Sequence, residues 1–167
     1  MTNEIFEQYV GDKIFLRGPY GNGFDVDLYK DKEIVIVAGG TGVSPVRGMI
    51  SYFADQMNER KNMTIITGFK SEKDILFQKD FAYWKDKMNV ILTLDNGEET
   101  PNHKIGLVTQ FIPDLEFEDV STAVAVVVGP PAMMRFSVKA LLERGLKEEN
   151  IWISQERKMC CGLGKCG

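Results

Sequence analysis

The sequence predicts an α/β fold: a five-stranded parallel sheet with helices on both faces. Three observations lead there. From Ile34 onwards, short apolar runs alternate with amphipathic stretches of helical length. That order builds a parallel sheet, because each crossover helix returns the chain to the edge it left. Three glycine-bearing turns, Gly39–Gly42, Gly68–Phe69 and Gly129–Pro131, fall just after such runs. In open sheets of this class ligands sit at the carboxyl ends of the strands, so three turns converging there mark a binding edge.

In order along the chain, residues 1–9 carry no signal. Gly11 to Leu16 reads as a strand entered from a turn, and Arg17–Phe24 as a glycine-rich loop. No neighbour for that strand is evident, so an edge strand with a surface loop is one reading of it. The expected strands are then Ile34–Ala38, Met63–Gly68, Asn89–Leu94, Ala123–Val128 and Ile151–Ser154. The expected helices are Val46–Asn58, Gln78–Lys85, Leu107–Phe111 and Ala132–Arg144. Met133, Phe136, Ala140 and Leu141 are spaced for one buried helix face, and Gly145 ends that helix as glycine does at a C-terminus.

The first strand–turn–helix unit is the most informative. Ile34 to Ala38 runs into Gly39, Gly40 and Gly42, then Ser44 and Pro45. Ser44 is suited to cap the helix and Pro45 to its first turn, where a missing N–H costs nothing. Free N–H groups at a helix start favour an anion, and a nucleotide phosphate is the natural occupant. The usual dinucleotide fingerprint does not fit, since its third glycine would fall on Pro45. Nor does an acid close the second strand, where Gly68, Phe69 and Lys70 stand instead. From spacing alone, an ordinary strand–turn–helix with no ligand remains the alternative.

Composition narrows the function classes. A chain of 167 residues, 44% hydrophobic and 26% charged, is long enough for one domain with a real core. A net charge of −4 with no basic stretch argues against a nucleic-acid partner. No run reaches membrane-spanning length and no leader pattern opens the chain, so no membrane contact and a cytoplasmic location are expected. All three cysteines, Cys160, Cys161 and Cys166, fall in the last eight residues. Disulfide frameworks spread their cysteines, so clustered thiols point to metal or redox chemistry. Cys161 and Cys166 have the C-x₄-C spacing that opens a plant-type [2Fe–2S] loop, whose next ligand would lie past Gly167. Zinc is the rival, with a spacing that suits it less well. Cys160 is not expected to be a ligand.

Four stretches together resemble the ferredoxin–NADP reductase superfamily: G-P-Y-G at Gly18–Gly21, G-G-T-G-V-S-P at Gly39–Pro45, G-P-P-A-M-M at Gly129–Met134, and E-R-K-M-x-C-G-x-G-x-C from Glu156 to Cys166. The tail is similar to one branch, the iron–sulfur flavoproteins of the dihydroorotate dehydrogenase electron-transfer type, with the corresponding subunits of anaerobic sulfite reductase and the gamma subunits of some hydrogenases. The resemblance implies a ferredoxin reductase-like nucleotide domain over residues 31–155. It makes residues 1–30 the tail of a flavin-binding barrel with its linker, including a remnant barrel strand, and residues 156–167 the start of a truncated [2Fe–2S] loop.

By the same resemblance, Gly40, Thr41, Gly42, Val43, Ser44 and Pro45 would lie under the cofactor's pyrophosphate and near its nicotinamide. Gly68, Phe69 and Lys70 would meet the adenosine, with Phe69 flanking the adenine. Asp74 matches a recurrent acid of that segment, although an acid starting the next turn is the plainer explanation. Gly129, Pro130 and Met133 would approach the nicotinamide, and Val128 stands where many members carry a cysteine. The whole protein would pass electrons between NAD(P)H, FAD and a [2Fe–2S] cluster to a catalytic or electron-accepting partner subunit, of sulfite reductase or hydrogenase type. NAD is favoured over NADP. No side chain of this stretch is expected to act as a catalytic acid or base. A domain that only senses NAD(H), and a flavodoxin-like FMN domain, are the rival functions. His103, in a polar loop, is expected at the solvated surface without a role, and Asp95-Asn96-Gly97 reads first as a turn.

Overall fold

The computed structural model describes residues 5–15 and 23–154. Contacts divide these into two units, one holding residues 5–15 and Gly23, the other residues 24–154. In the first, residues 11–15 form no strand. The strand expected over Gly11–Leu16 is corrected for those residues, since an extended segment closes no ladder without a partner and none pairs with it among the described residues. Leu16 and most of the Arg17–Phe24 loop lie outside the described residues, as do Cys160, Cys161 and Cys166.

The second unit is a parallel α/β sheet. Its strands are β1 (Glu33–Gly39), β2 (Met63–Phe69), β3 (Asn89–Leu94), β4 (Lys104–Ile105), β5 (Ala123–Val128) and β6 (Ile151–Ser154), in the order β4-β3-β2-β1-β5-β6. All five expected strands are present. The sixth, β4, is a two-residue edge paired through Thr93–Lys104 and Leu94–Ile105, too short to leave a periodic signal. Three helices cross between strands: α1 (Val43–Asp55), α2 (Gln78–Lys85) and α3 (Pro131–Glu143). The segment expected as a helix at Leu107–Phe111 is a 3-10 turn, Val108–Phe111.

The core has two layers, one on each side of the sheet, because alternate strand residues point to opposite faces. Ile36, Ala38, Ile65, Val124 and Val126 meet Val46, Ile50 and Phe53 of α1 and Phe81 and Trp84 of α2. Val35, Val37, Ile66, Ala125 and Val127 meet Val108, Ile112 and, from α3, Met134 and Leu141. Burial of each such Val, Ile or Leu side chain contributes about 1.5–3 kcal/mol. Two buried charged groups brace the layers. Both carboxylate oxygens of Glu33 accept backbone N–H bonds, from Glu118 at 3.1 Å and Asp119 at 2.9 Å, which ties the start of β1 to the loop before β5. Arg60 donates to the Phe53 carbonyl at 3.1 Å and the Lys87 carbonyl at 2.8 Å, just where α1 and α2 end. A cation there complements the negative ends of both helices, and burial lowers its pKa from the usual guanidinium range.

Two helices differ from expectation, one in its start and one in its buried face. α1 begins three residues before Val46, and its N-cap is Gly42, not Ser44. The Gly40–Gly42 segment is already a 3-10 turn, so the chain is helical before it reaches the serine. Pro45 lies in the first turn, as expected. In α3 the buried side chains are Met134, Ser137 and Leu141, whereas Phe136 is exposed. The helix ends as its glycine requires. Gly145 has φ +95, its N–H donates to the Leu142 carbonyl, and Leu146 N–H donates to Leu141, the paired bonds of a Schellman motif.

Candidate functional site

Parallel register brings the carboxyl ends of β1, β2 and β5 level, with Gly39 opposite Gly68 and Ala38 opposite Val128. The three glycine turns therefore open on one cleft of about 1150 Å³. That exceeds the roughly 300–1,000 Å³ of ordinary small-molecule sites, as an extended two-nucleotide ligand needs. At its centre, Gly40 adopts φ +55 with nothing within 4 Å of where a Cβ would stand. This left-handed residue turns the chain from β1 into α1 and leaves bare backbone facing the cleft. Gly42 is needed for the opposite reason. A Cβ there would stand 2.6 Å from the Val128 carbonyl oxygen, so only glycine lets the α1 start lie against the end of β5. An uncapped helix start beside open backbone suits a diphosphate, by the anion logic of helix N-termini.

Of the expected residues, Gly40, Thr41, Gly42, Ser44, Pro45, Gly68, Phe69, Lys70, Gly129, Pro130 and Met133 all line this cleft. Two do not. Val43 is fully buried in the core. Asp74 is exposed away from the cleft, and its carboxylate accepts the Ser71 hydroxyl at 2.7 Å, closing the 3-10 turn Glu72–Asp74. It shapes the loop after β2 and does not line the cleft.

Phe69 lines the cleft but is buried. Its side chain is 3% exposed and meets Phe81 edge to face at 6.2 Å. As residue seven of β2 it shares the face of Met63 and Ile65. A ring so placed has no free face to flank an adenine, and that expectation is corrected.

Sequence reasoning passed over one wall entirely. Leu107, Val108 and Thr109 line the cleft beside Gly68, whose Cβ, if present, would meet Val108 at 2.6 Å. This turn is held by Gly106 N–H donating to the Leu94 carbonyl at 2.9 Å and Leu107 N–H donating to Gln110 Oε1 at 3.0 Å. Gly106, at φ +137, was the one signal available. Leu107 is 56% exposed and supplies the apolar surface that Phe69 does not. Asp95 and Lys70 are the charged side chains at this end of the cleft, and Asp95 N–H donates to the Phe69 carbonyl at 2.9 Å.

His103 is buried, contrary to expectation. Thr100 Oγ1 accepts N–H bonds from Asn102 and His103 and lies 3.2 Å from His103 Nδ1. His103 Nε2 donates to the Glu98 carbonyl at 3.0 Å, since a carbonyl oxygen can only accept. The ring fastens the loop between β3 and β4. Among the described residues no group of three or more His, Cys, Asp or Glu could hold a metal.

A parallel sheet with a glycine-cradled anion position at its carboxyl edge defines the class of nucleotide-binding α/β modules. The chain belongs to a particular family within it: residues 36–139 match the oxidoreductase NAD-binding domain. The gamma subunit of sulfhydrogenase 2 from Pyrococcus furiosus is 36% identical over 181 aligned positions, covering all of this chain and 62% of that protein. A probable dihydroorotate dehydrogenase B (NAD(+)) electron transfer subunit of the same organism is 31% identical, covering 99% of this chain and 59% of its own length. This chain thus spans about three fifths of these relatives. Among solved structures, the CS-b5R domains of human Ncb5or in its NAD+ form share the fold at a TM-score of 0.74 and 20% identity, over 92% of this chain and 45% of that one. The resemblance to ferredoxin–NADP reductases holds at the level of fold.

Proposed function

We propose that the cleft binds NAD(P)H, with the pyrophosphate over Gly40–Ser44. The carrying observation is that three strand-end glycine turns and an uncapped helix start share one cleft. The adenosine then lies towards β2 and β3, its base against Leu107 and its ribose near Asp95 and Lys70. NADH is the better fit. A carboxylate accepts from ribose hydroxyls and repels a 2′-phosphate, and Asp95 is anchored through its backbone, whereas Lys70 is on a flexible stem that can follow either cofactor.

The whole protein, in this reading, is an iron–sulfur flavoprotein oxidoreductase of the cytoplasm, carrying FAD and a [2Fe–2S] cluster and serving a partner subunit. The named relatives, a sulfhydrogenase gamma subunit and an electron transfer subunit, support it. Residues 1–30 are then the end of a flavin domain and its linker. Phe6, Tyr9 and Phe15 are each more than 80% exposed, apolar surface suited to packing on such a domain. Residues 156–167 begin the cluster loop, with Cys161 and Cys166 as its first ligands. Flavin converts the two-electron hydride of NAD(P)H into single-electron steps. This chain's residues hold and orient the nucleotide and need no acid or base of their own. Among the described residues no helix is long and apolar enough to cross a membrane.

Calorimetric titration with 5′-ADP and 2′,5′-ADP tests the reading, since these carry the adenosine halves of NAD and NADP. Binding of 5′-ADP in preference to its 2′-phosphorylated form is expected. Heat with neither would refute the site.

A further inference from the structure

Helix α3 contains a local contradiction. Ser137 is fully buried and its hydroxyl has no hydrogen-bond partner, while its neighbour Phe136 stands 65% exposed. Stability alone favours the reverse, because an aromatic ring gains by burial and an unpartnered buried hydroxyl is costly. Turning the helix by one residue, about 100°, would exchange the two. Met133 prevents that turn. Its side chain is seated over the ends of β1 and β5, where a Cβ on Gly39 would meet the sulfur at 2.5 Å and one on Gly129 would meet it at 3.1 Å. Three residues on from Met133, Phe136 shares its side of the helix, and both line the cleft. A local rule broken at a cleft wall points to a use of that wall.

The strand order says which part of a ligand arrives there. β2 and β3 lie on one side of β1 and β5 on the other. A dinucleotide with its phosphates over Gly40–Ser44 and its adenosine towards Lys70 and Asp95 sends its second nucleoside to β5 and α3. The cleft lining from β5, its turn and α3 carries no charged side chain. A nicotinamide is cationic when oxidised and neutral when reduced, and an uncharged apolar wall accommodates both forms.

We infer that Phe136 is the positioning residue for the nicotinamide ring, the apolar wall against which that half of the cofactor rests. The inference depends on the NAD(P)H reading above and adds a residue that the reading does not require. It is tested by titrating the wild type and Phe136→Ala with 5′-ADP, ADP-ribose and NAD+. ADP-ribose differs from NAD+ only in lacking the nicotinamide.

Wild type should bind NAD+ more tightly than ADP-ribose. In Phe136→Ala that advantage should vanish through a loss of roughly tenfold for NAD+, the scale of one base–aromatic contact. Affinity for 5′-ADP and ADP-ribose should stay unchanged, which also shows that the variant is folded. Phe136→Tyr should keep the preference. Equal affinity of the wild type for NAD+ and ADP-ribose would overturn the inference, as would a variant in which NAD+ binding is unaltered or all three ligands weaken alike. Failure of the wild type to bind 5′-ADP at all would instead remove the nucleotide reading, and this inference with it.

Discussion

Gly42 and Asp95 show how much rests on single side chains at the cleft. Gly42→Ala places a methyl group 2.6 Å from the Val128 carbonyl oxygen, backbone against backbone, where no rotamer relieves the contact. The α1 start must shift, so we expect a stability loss of about 1–3 kcal/mol by denaturant unfolding and a larger proportional loss of 5′-ADP affinity. Retained ADP binding would mean the phosphates lie elsewhere. At Asp95 the expected change is one of selectivity. Asp95→Asn removes the charge but keeps the acceptor oxygen, so binding of 2′,5′-ADP should improve relative to 5′-ADP. An unchanged ratio in paired titrations would take Asp95 out of the ribose site. The residues of the β1 turn were legible in the sequence because glycine chemistry is local. Phe69 was not. Which face of β2 its ring occupies is set by the pairing of Gly39 with Gly68 and by the aromatic cluster of Phe81 and Trp84 beneath the sheet.

Elements are joined here by a few polar clamps. Glu33 binds two backbone N–H groups from a loop 85 and 86 residues further on. Glu33→Leu leaves both donors unpaired and should cost about 2–5 kcal/mol in thermal or chemical unfolding, the penalty for buried donors left unmade. A cost below about 1 kcal/mol would show that water takes the carboxylate's place. Glu59 makes a second clamp. Its carboxylate accepts the Tyr52 hydroxyl at 2.7 Å and pairs with Lys30 at 3.2 Å, and these two contacts, in that order, lower its pKa from 4.5. A lowered carboxylate pKa contributes stability that is fully present above the unfolded value and lost as pH falls through the folded one. The fall in melting temperature from about pH 6 to about pH 3 should therefore be smaller in Glu59→Gln than in the wild type. An identical fall would show that solvent screens the contact completely. Strands were easier to foresee than helix phases. The spacing of Met133, Phe136, Ala140 and Leu141 described a core-facing side correctly for Leu141, Met133 and Ala140 but not for Phe136, because the seat of Met133 over two glycines is a tertiary contact.

The molecule as a whole extends, in our reading, beyond what these residues fold into. A chain continued past Gly167 to the length of its relatives should contain iron and absorb visible light. Serine at Cys161 or Cys166 should abolish both, and a colourless, iron-free product would exclude the cluster. The amino-acid order by itself determined the parallel α/β class, the five main strands and the edge on which the cleft opens. Those follow from apolar runs and glycine turns, whose physics is confined to a few consecutive residues. Tertiary structure alone decided that Leu107 and not Phe69 offers its apolar surface to the cleft, that His103 is a buried brace, and that Phe136 is held outside the core. Each of those outcomes depends on which distant backbone lies alongside, and register and helix rotation are set only when the sheet and its two covering layers pack together.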